Sequence, residues 1–372
     1  MAAVAERRVC LLGFGNVGRR FCELVARKDD ELARRHGLRL RFVAVGTGSH
    51  GSIVGPAGLS AAEVLEIAGA ALTAGVAAAG DAPTLGAGGR PAPMVAVPFP
   101  EPSRPGVELV AASGADVLIE ATPLDPHGGR DAIAHIEAAL AHGADVVTVN
   151  KGPVAWDYRR LADLAAAHGR RLLFEGTVMD GCPVFDLFRS CLPDCRLLGF
   201  DAVFNSTTNF ILDAMGEGVG LADALAQVQA AGYAETDPSH DIDGHDAAAK
   251  TAALANVLMD AALTPDDVVK DTVRGVTAER VAQVRAAGRR LRVVCSAGEG
   301  EHGSATRRVR RPAVRLAELE PDHPLYAASG STLSVLLHTD LMGTVQVAEH
   351  GALPEQTAYA VYADLLSLHE GR

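Results

Sequence analysis

The chain has 372 residues, a formal net charge of −12, 48% hydrophobic residues and 22% charged ones. That length suits two domains with separate cores, and the composition describes a globular protein and excludes a disordered one. An excess of acid excludes a general nucleic-acid binder, which needs a basic face against phosphates. The segment LEIAGAALTAGVAAAG is interrupted by Glu66 and too weakly apolar to span a bilayer. The first residues lack the basic, apolar, small-residue pattern of a leader, so no secretion signal is expected. Of the six cysteines only Cys191 and Cys195 lie close together. They have no second ligand pair for zinc, so the expectation is reduced thiols in a cytoplasmic protein.

In chain order, RRVCLLGFGNVGRRFCELV runs from an apolar segment, Val9 to Leu12, into Gly13, Phe14, Gly15, Asn16, Val17 and Gly18. Val17, Phe21, Leu24 and Val25 then recur at helical spacing. Strand, glycine turn and helix in this order form a dinucleotide site. Gly13 permits the turn, Gly15 admits a pyrophosphate to the helix N-terminus, and Gly18 lets helix and strand pack closely. The next strand, LRLRFVAVG, is followed by Thr47, Gly48, Ser49 and His50, with no acid to hold a ribose 2′-hydroxyl. The expectation is NADP, with NAD as the alternative and His50, Arg19 or Arg39 as candidate partners of a 2′-phosphate. An Ala-rich helix and a flexible excursion, AAGDAPTLGAGGRPAPM, come next. Two more apolar strands, in ADVLIEATP and ADVVTVNK, flank the helical run GGRDAIAHIEAALAHG. Alternation of this kind predicts a Rossmann-type, doubly wound parallel sheet to about residue 155. Thr122, Asn150 and Lys151 then fall at the crevice outside the carboxyl ends of its strands.

Further on, GYAETDPSHDIDGHDAAAK crowds acids in front of Lys250. A calcium loop that takes Gly244 as its glycine would put Ser239 first, Asp241 third, Asp243 fifth and Lys250 twelfth. A lysine in place of the bidentate glutamate rejects that reading. A solvated turn accounts for Asp237, Pro238 and Ser239. Asp246 and Lys250, four apart at the start of a helix, share one face, an arrangement that serves either a solvent-side ion pair or an acid/base site.

GFGNVG, EATP, VVTVNKGPVA, FEGTVMDGCPVF, FNSTTNFIL and the acidic stretch occur in the order seen in homoserine dehydrogenases. The likeness continues more weakly through GVT and DHPLYAASGST to EQTAYAVYADLL. The sequence therefore resembles that family in a short form without a C-terminal regulatory domain. The resemblance implies NAD(P)-dependent interconversion of L-homoserine and L-aspartate 4-semialdehyde, on the way to threonine and methionine. It implies a nucleotide domain over 1–155 plus 345–372, an α+β substrate and dimerisation domain over 156–344, and a homodimer. Lys250 becomes the acid/base, a role for which partial burial can bring its pKa down toward the working range, and Asp246 becomes its orienting partner. Lys151 is the second lysine, steadying the carboxylate or the cofactor. Glu235 would hold the substrate ammonium, with Asp241, Thr207 and Tyr233 also lining the pocket. Thr122 would lie near the nicotinamide, and Gly351 would belong to the loop beside it. A monovalent cation, Na⁺ or K⁺, would rest on the main-chain carbonyls of Glu175, Val178, Asp180 and Cys182.

Two departures stand out. Ser206 occupies a position where the family has glycine, and a serine is costly there if the backbone approaches the ligand closely or φ is positive. Glu349, His350 and Leu353 interrupt a loop that is glycine-rich in the family. A divergent paralogue acting on another amino-acid-linked alcohol or aldehyde, or an inactive ligand-sensing relative, is the rival reading. Retention of both lysines with Asp246 and Glu235 argues against the sensor.

Overall fold

The computed structural model describes residues 4–48, 50–69, 99–231, 233–234, 237–299 and 309–371, with the backbone alone at 309–311. The flexible excursion expected after the Ala-rich helix, together with Ser49 and Glu235, lies outside the described residues.

The alternating apolar segments of the first part become β1 (Ala5–Leu12), β2 (Leu38–Gly46), β3 (Ser52–Leu59), β4 (Val117–Glu120), β5 (Asp145–Thr148) and β6 (Leu172–Leu173). They form one sheet in the order β3-β2-β1-β4-β5-β6. Every pairing is parallel except β2 with β3. Val9–Leu12 of β1, Val117–Ile119 of β4 and Val146–Val147 of β5 are apolar without alternation because helices cover both faces of the sheet. On one face Val9, Leu11, Phe21, Val25 and Ile119 pack with Val361 and Leu365. On the other, Cys10, Leu12, Leu118 and Val146 pack with Leu109, Ile136, Leu140 and Leu161.

The second sheet has the order β12-β11-β7-β9-β10-β8, from β7 (Leu197–Val203), β8 (Val269–Lys270), β9 (Arg290–Glu299), β10 (Val309–Leu319), β11 (Leu333–Thr339) and β12 (Thr344–Glu349). Only β8 with β10 is parallel. Alternation along β7 sends Phe200 and Ala202 to a core shared with the helices Ser206–Gly216, His245–Leu258 and Ala278–Ala286. Val203 faces the opposite side, where it meets Val294, Leu336 and Leu325.

These sheets move the expected boundaries. β6 belongs to the first sheet, so that unit runs past residue 155. β12 pairs with β11 in the second sheet, so residues 345–349 belong there, and the return to the first unit begins only at the helix Pro354–Glu370. That helix packs on Asn16–Glu31. His369 Nε2 lies 2.9 Å from the His36 carbonyl and Arg171 donates to the Ser367 carbonyl at 2.8 Å.

The seam that matters for chemistry joins the helices Lys151–Ala167 and His245–Leu258. Asn256, buried, donates to the carbonyls of Val154 and Ala155 at 3.3 Å each. An alanine-rich face (Ala247, Ala248, Ala252, Ala255) lies along the same helix, and the Asn256 bonds set its last turn against the first turn of the other.

Candidate active site

The glycine turn is built as the spacing requires. Gly13 has φ +94°, and a Cβ there would lie 2.2 Å from the Ala121 carbonyl oxygen. A Cβ on Gly18 would lie 2.1 Å from the Gly13 carbonyl oxygen, whereas one on Gly15 would meet nothing within 4 Å. Gly13 and Gly18 thus close the backbone, and Gly15 leaves its side open. Asn16 starts the helix with no side-chain cap at Gly15, so its first amides are free for an anion. Val17 is half-buried. Phe14 is buried edge-on against Phe99, centroids 5.6 Å apart.

Arg39 is not where a 2′-phosphate would need it. It stands at the amino end of β2, roughly 23 Å of strand from Gly46, paired with Asp29 and with Asp30 at 3.7 Å. Arg19 pairs with Glu23 at 3.1 Å. His50 follows β2 at its carboxyl end, half-buried.

At the carboxyl ends of β4 and β5, Asn150 caps the helix that begins with Lys151, accepting from Gly152 N at 3.0 Å. Its amide also donates to the carbonyls of Thr122 at 3.1 Å and Pro123 at 3.3 Å. The cap aims Lys151 across the seam, where its Nζ lies 2.8 Å from Asp246 Oδ1. Lys250 Nζ lies 3.4 Å from Asp246 Oδ2 and donates to the Phe204 carbonyl at 2.9 Å. One carboxylate therefore serves both lysines, one from each domain.

Asn205, which the sequence reading passed over, organises the rest. As N-cap of Ser206–Gly216 it accepts from Thr208 N at 2.8 Å. Its amide hydrogens remain for Asp241 Oδ1 at 2.7 Å and Asp246 Oδ2 at 3.2 Å. The signal was an Asn immediately before Ser-Thr-Thr, an N-cap pattern. Ser206, the first residue of that helix, is not among the residues with positive φ, so a serine cost from backbone strain does not arise.

Thr207 is buried and donates to the Tyr233 carbonyl at 3.0 Å. Tyr233 stacks on Phe210 with centroids 4.1 Å apart. Asp243 pairs with Arg274 at 2.6 Å and Asp237 accepts from Ser239 N at 3.0 Å. The acidic stretch thus splits into a solvated turn and an inward pair, Asp241 and Asp246.

Burial alone would raise the Asp246 carboxyl, but Lys151 and Lys250 outweigh it and hold it well below the ordinary range. Burial, then repulsion from Asp246, raises Asp241. Burial alone would lower Lys250, yet Asp246, Asp180 and Asp241 together raise it above the usual lysine value. This corrects the expectation that burial would bring Lys250 down toward neutrality: three acids around one ammonium outweigh desolvation.

The 175–182 segment carries the residues proposed for a cation. Glu175 is buried and caps a short helix, accepting from Phe185 N and Asp186 N at 2.8 Å each. Val178 is buried, and Asp180, at φ +46°, accepts from Thr357 Oγ1 at 3.0 Å. Burial, then nearby acids, pushes the Cys182 thiol up to about 11, which removes it as a nucleophile. Among the described residues no group of three His, Cys, Asp or Glu side chains could hold a metal ion. Gly351, φ +75°, starts the turn into the last helix, its carbonyl accepting from Gln356 Nε2 at 3.2 Å.

Comparison with known proteins extends this picture. The family model for homoserine dehydrogenase matches residues 183–366, and that for the homoserine dehydrogenase NAD binding domain matches residues 96–175. The chain is 33% identical over 367 residues to the NAD(+)-dependent homoserine dehydrogenase of Pseudomonas canavaninivorans, covering 99% of this chain and 97% of that one. A solved structure from Archaeoglobus fulgidus superposes with a TM-score of 0.78 at 28% identity, over 98% of this chain and 99% of its own. A hyperthermophilic archaeal homoserine dehydrogenase in complex with NADPH superposes with a TM-score of 0.75 at 26% identity, over 99% of each chain. With a full-length relative at that identity and both domains matched, the chain belongs to the homoserine dehydrogenase family.

Proposed function

We propose that this oxidoreductase interconverts L-homoserine and L-aspartate 4-semialdehyde at the crevice between its two sheets. One observation carries the reading: Lys151 and Lys250 converge on Asp246 across the domain seam, at the carboxyl edge of a sheet whose glycine turn is open at Gly15. Bound along that edge, a nicotinamide cofactor supplies or accepts the hydride. Lys250, an ammonium among acids, protonates the alkoxide when the aldehyde is reduced and takes the proton back when the alcohol is oxidised. Lys151 steadies the substrate carboxylate or the cofactor, and Asp246 holds both lysines apart and oriented. Asp241, with Glu235, receives the substrate ammonium. That added positive charge weakens the acids' hold on the Lys250 proton and brings the lysine toward the range its task requires. Thr207 and Tyr233 shape the pocket wall.

The proposed cofactor preference is NADP, supported by a second strand that closes without an acid. Comparison of kcat/KM for the two cofactors tests this, and a tenfold preference for NAD, about 1.4 kcal/mol, would overturn it. Mixing pure protein with L-homoserine and NADP should generate the reduced-nicotinamide absorbance. Absence with both cofactors, and its appearance with another amino alcohol, would favour the paralogue.

A monovalent cation, Na⁺ or K⁺, on the carbonyls of Glu175, Val178, Asp180 and Cys182 fits a local charge imbalance. Glu349 Oε2 is buried without a partner among the described residues, and burial, then Asp180, raises that carboxyl to about 7. Replacing KCl by tetramethylammonium chloride should lower Tm if the cation is held there. The exposed Leu341 and Met342 on the β11–β12 turn support a homodimer through the second sheet, which light scattering checks. No helix among the described residues is long and apolar enough to cross a membrane. A cytoplasmic location and a place in threonine and methionine synthesis complete the proposal.

A further inference from the structure

Beneath the crevice lies a carboxylate that the reaction does not use. Glu120, at the carboxyl end of β4, is 0% exposed. Its Oε1 accepts from Thr122 N at 3.2 Å and from the Thr122 hydroxyl, and its Oε2 accepts from Thr148 Oγ1 at 3.2 Å. His135 Nδ1 lies 3.6 Å from the same Oε1, with no hydrogen-bond partner among the described residues. That ring is locked in place, since a Cβ on Gly106 would fall 2.2 Å from His135 Nε2.

A buried polar network has a direction, because each hydroxyl owns one hydrogen and two lone pairs. A carboxylate offers only acceptors, so Thr122 spends its single hydrogen on Glu120 Oε1, while Thr148 shares its own between Oε2 and the Glu120 carbonyl, each at 3.2 Å. Thr148 Oγ1 then accepts from Asn150 N at 3.0 Å, which sets the cap in front of Lys151. Thr122 Oγ1 faces Asn150 Nδ2 at 3.5 Å and has lone pairs, but no hydrogen, left for the crevice. Thr122 also touches the glycine turn, since a Cβ on Gly13 would lie 2.8 Å from Thr122 N. A cofactor reaching from that turn toward Lys151 and Lys250 has to pass it.

We propose that Glu120 is a positioning residue that fixes Thr122 as a hydrogen-bond acceptor toward the crevice, selecting a cofactor that presents an N–H there, the carboxamide of nicotinamide. This inference rests on the reading that a nicotinamide dinucleotide binds along the first sheet. The alternative, that Glu120 only supports the β4 end mechanically, predicts different binding.

Calorimetric titration of the full chain with NADP and with 3-acetylpyridine adenine dinucleotide phosphate separates the two, because the acetyl group has no N–H. Glu120→Leu removes both acceptor oxygens at similar size, which releases the Thr122 hydrogen to point outward. The expected result is a dissociation constant for NADP raised about tenfold, with the acetyl analogue unchanged within about twofold or bound more tightly. Thr122→Val should narrow the same discrimination, and Glu120→Leu added to it should change nothing further, since the effect runs through that hydroxyl. Equal loss for both cofactors, or no loss for either, would overturn the proposal. If Glu120→Leu does not fold, Thr122→Val decides alone: unchanged discrimination against the acetyl analogue overturns it. Failure of the unmodified protein to bind either dinucleotide would instead count against the cofactor reading.

Discussion

Two buried acidic groups in this molecule meet opposite fates. Asp246 lies between Lys151 and Lys250 and stays ionised, its carboxyl held far down against the pull of burial. Glu175 and Asp364 are buried more deeply, joined by the Glu175 amide donating to Asp364 Oδ2 at 3.1 Å, and among the described residues neither has a cation paired with it; Arg189 pulls Asp364 down only weakly against burial. Burial pushes them up to about 8 and about 7, respectively. The difference teaches that burial does not set the charge of an acid by itself; a cation within hydrogen-bond reach does. The first group is a charged organiser for a reacting centre. The second links the 175–182 segment to the last helix through carboxyls that burial raises.

The comparison breaks most visibly if a lysine is removed. Lys250→Ala is expected to lower kcat by about 100-fold or more, the scale of a lost general acid/base, at an unchanged melting profile. If instead Lys151→Ala abolishes turnover while Lys250→Ala leaves it near normal, the two roles are exchanged. If neither matters, the acid/base mechanism is wrong.

Asp246→Asn removes the shared partner without removing a proton carrier, so a loss of roughly tenfold in kcat is expected. Its signature is in the pH profile. Without the carboxylate that raises it, Lys250 titrates lower, and the limb assigned to that lysine should move to lower pH. A profile that keeps its limbs would show that Asp246 does not govern the lysine.

Glu235→Ala sharpens the contrast between organising charge and binding charge. The ammonium it would hold is present in alcohol and aldehyde alike, so KM should rise about tenfold with kcat nearly unchanged. A matching fall in kcat would mean that Glu235 acts on the transition state.

The smallest expected effect concerns the uncompensated pair. In the folded chain Glu175 and Asp364 keep protons that an unfolded chain releases near pH 4. The native state therefore binds more protons between about pH 4 and pH 8, and their contribution to stability falls as pH rises through that window. Asp364→Asn abolishes one titration and should stabilise the protein at pH 8 by on the order of 1–2 kcal/mol relative to pH 5. Urea unfolding at the two pH values measures this, and an unchanged difference would show that Asp364 does not carry the pH dependence.

How much of this was legible in the chain follows from the range of each interaction. Glycine spacing, apolar runs and the i, i+4 pair of Asp246 and Lys250 are local, so the sequence by itself determined the nucleotide turn, β2 from Leu38 to Gly46 and the helix that presents the second lysine. What only the tertiary structure decided is long-range. Lys151 and Lys250 are 99 residues apart, and nothing in their spacing shows that one Asp246 serves both. Asn205 looked like a mere helix cap until its free amide met two acids. Residues 345–349 read as part of the C-terminal return, but their backbone found partners on β11, because strand pairing depends on an available edge, which no single segment records. Lys250 was expected to be lowered by burial and is raised, because charge–charge energy depends on distances that only the folded chain fixes.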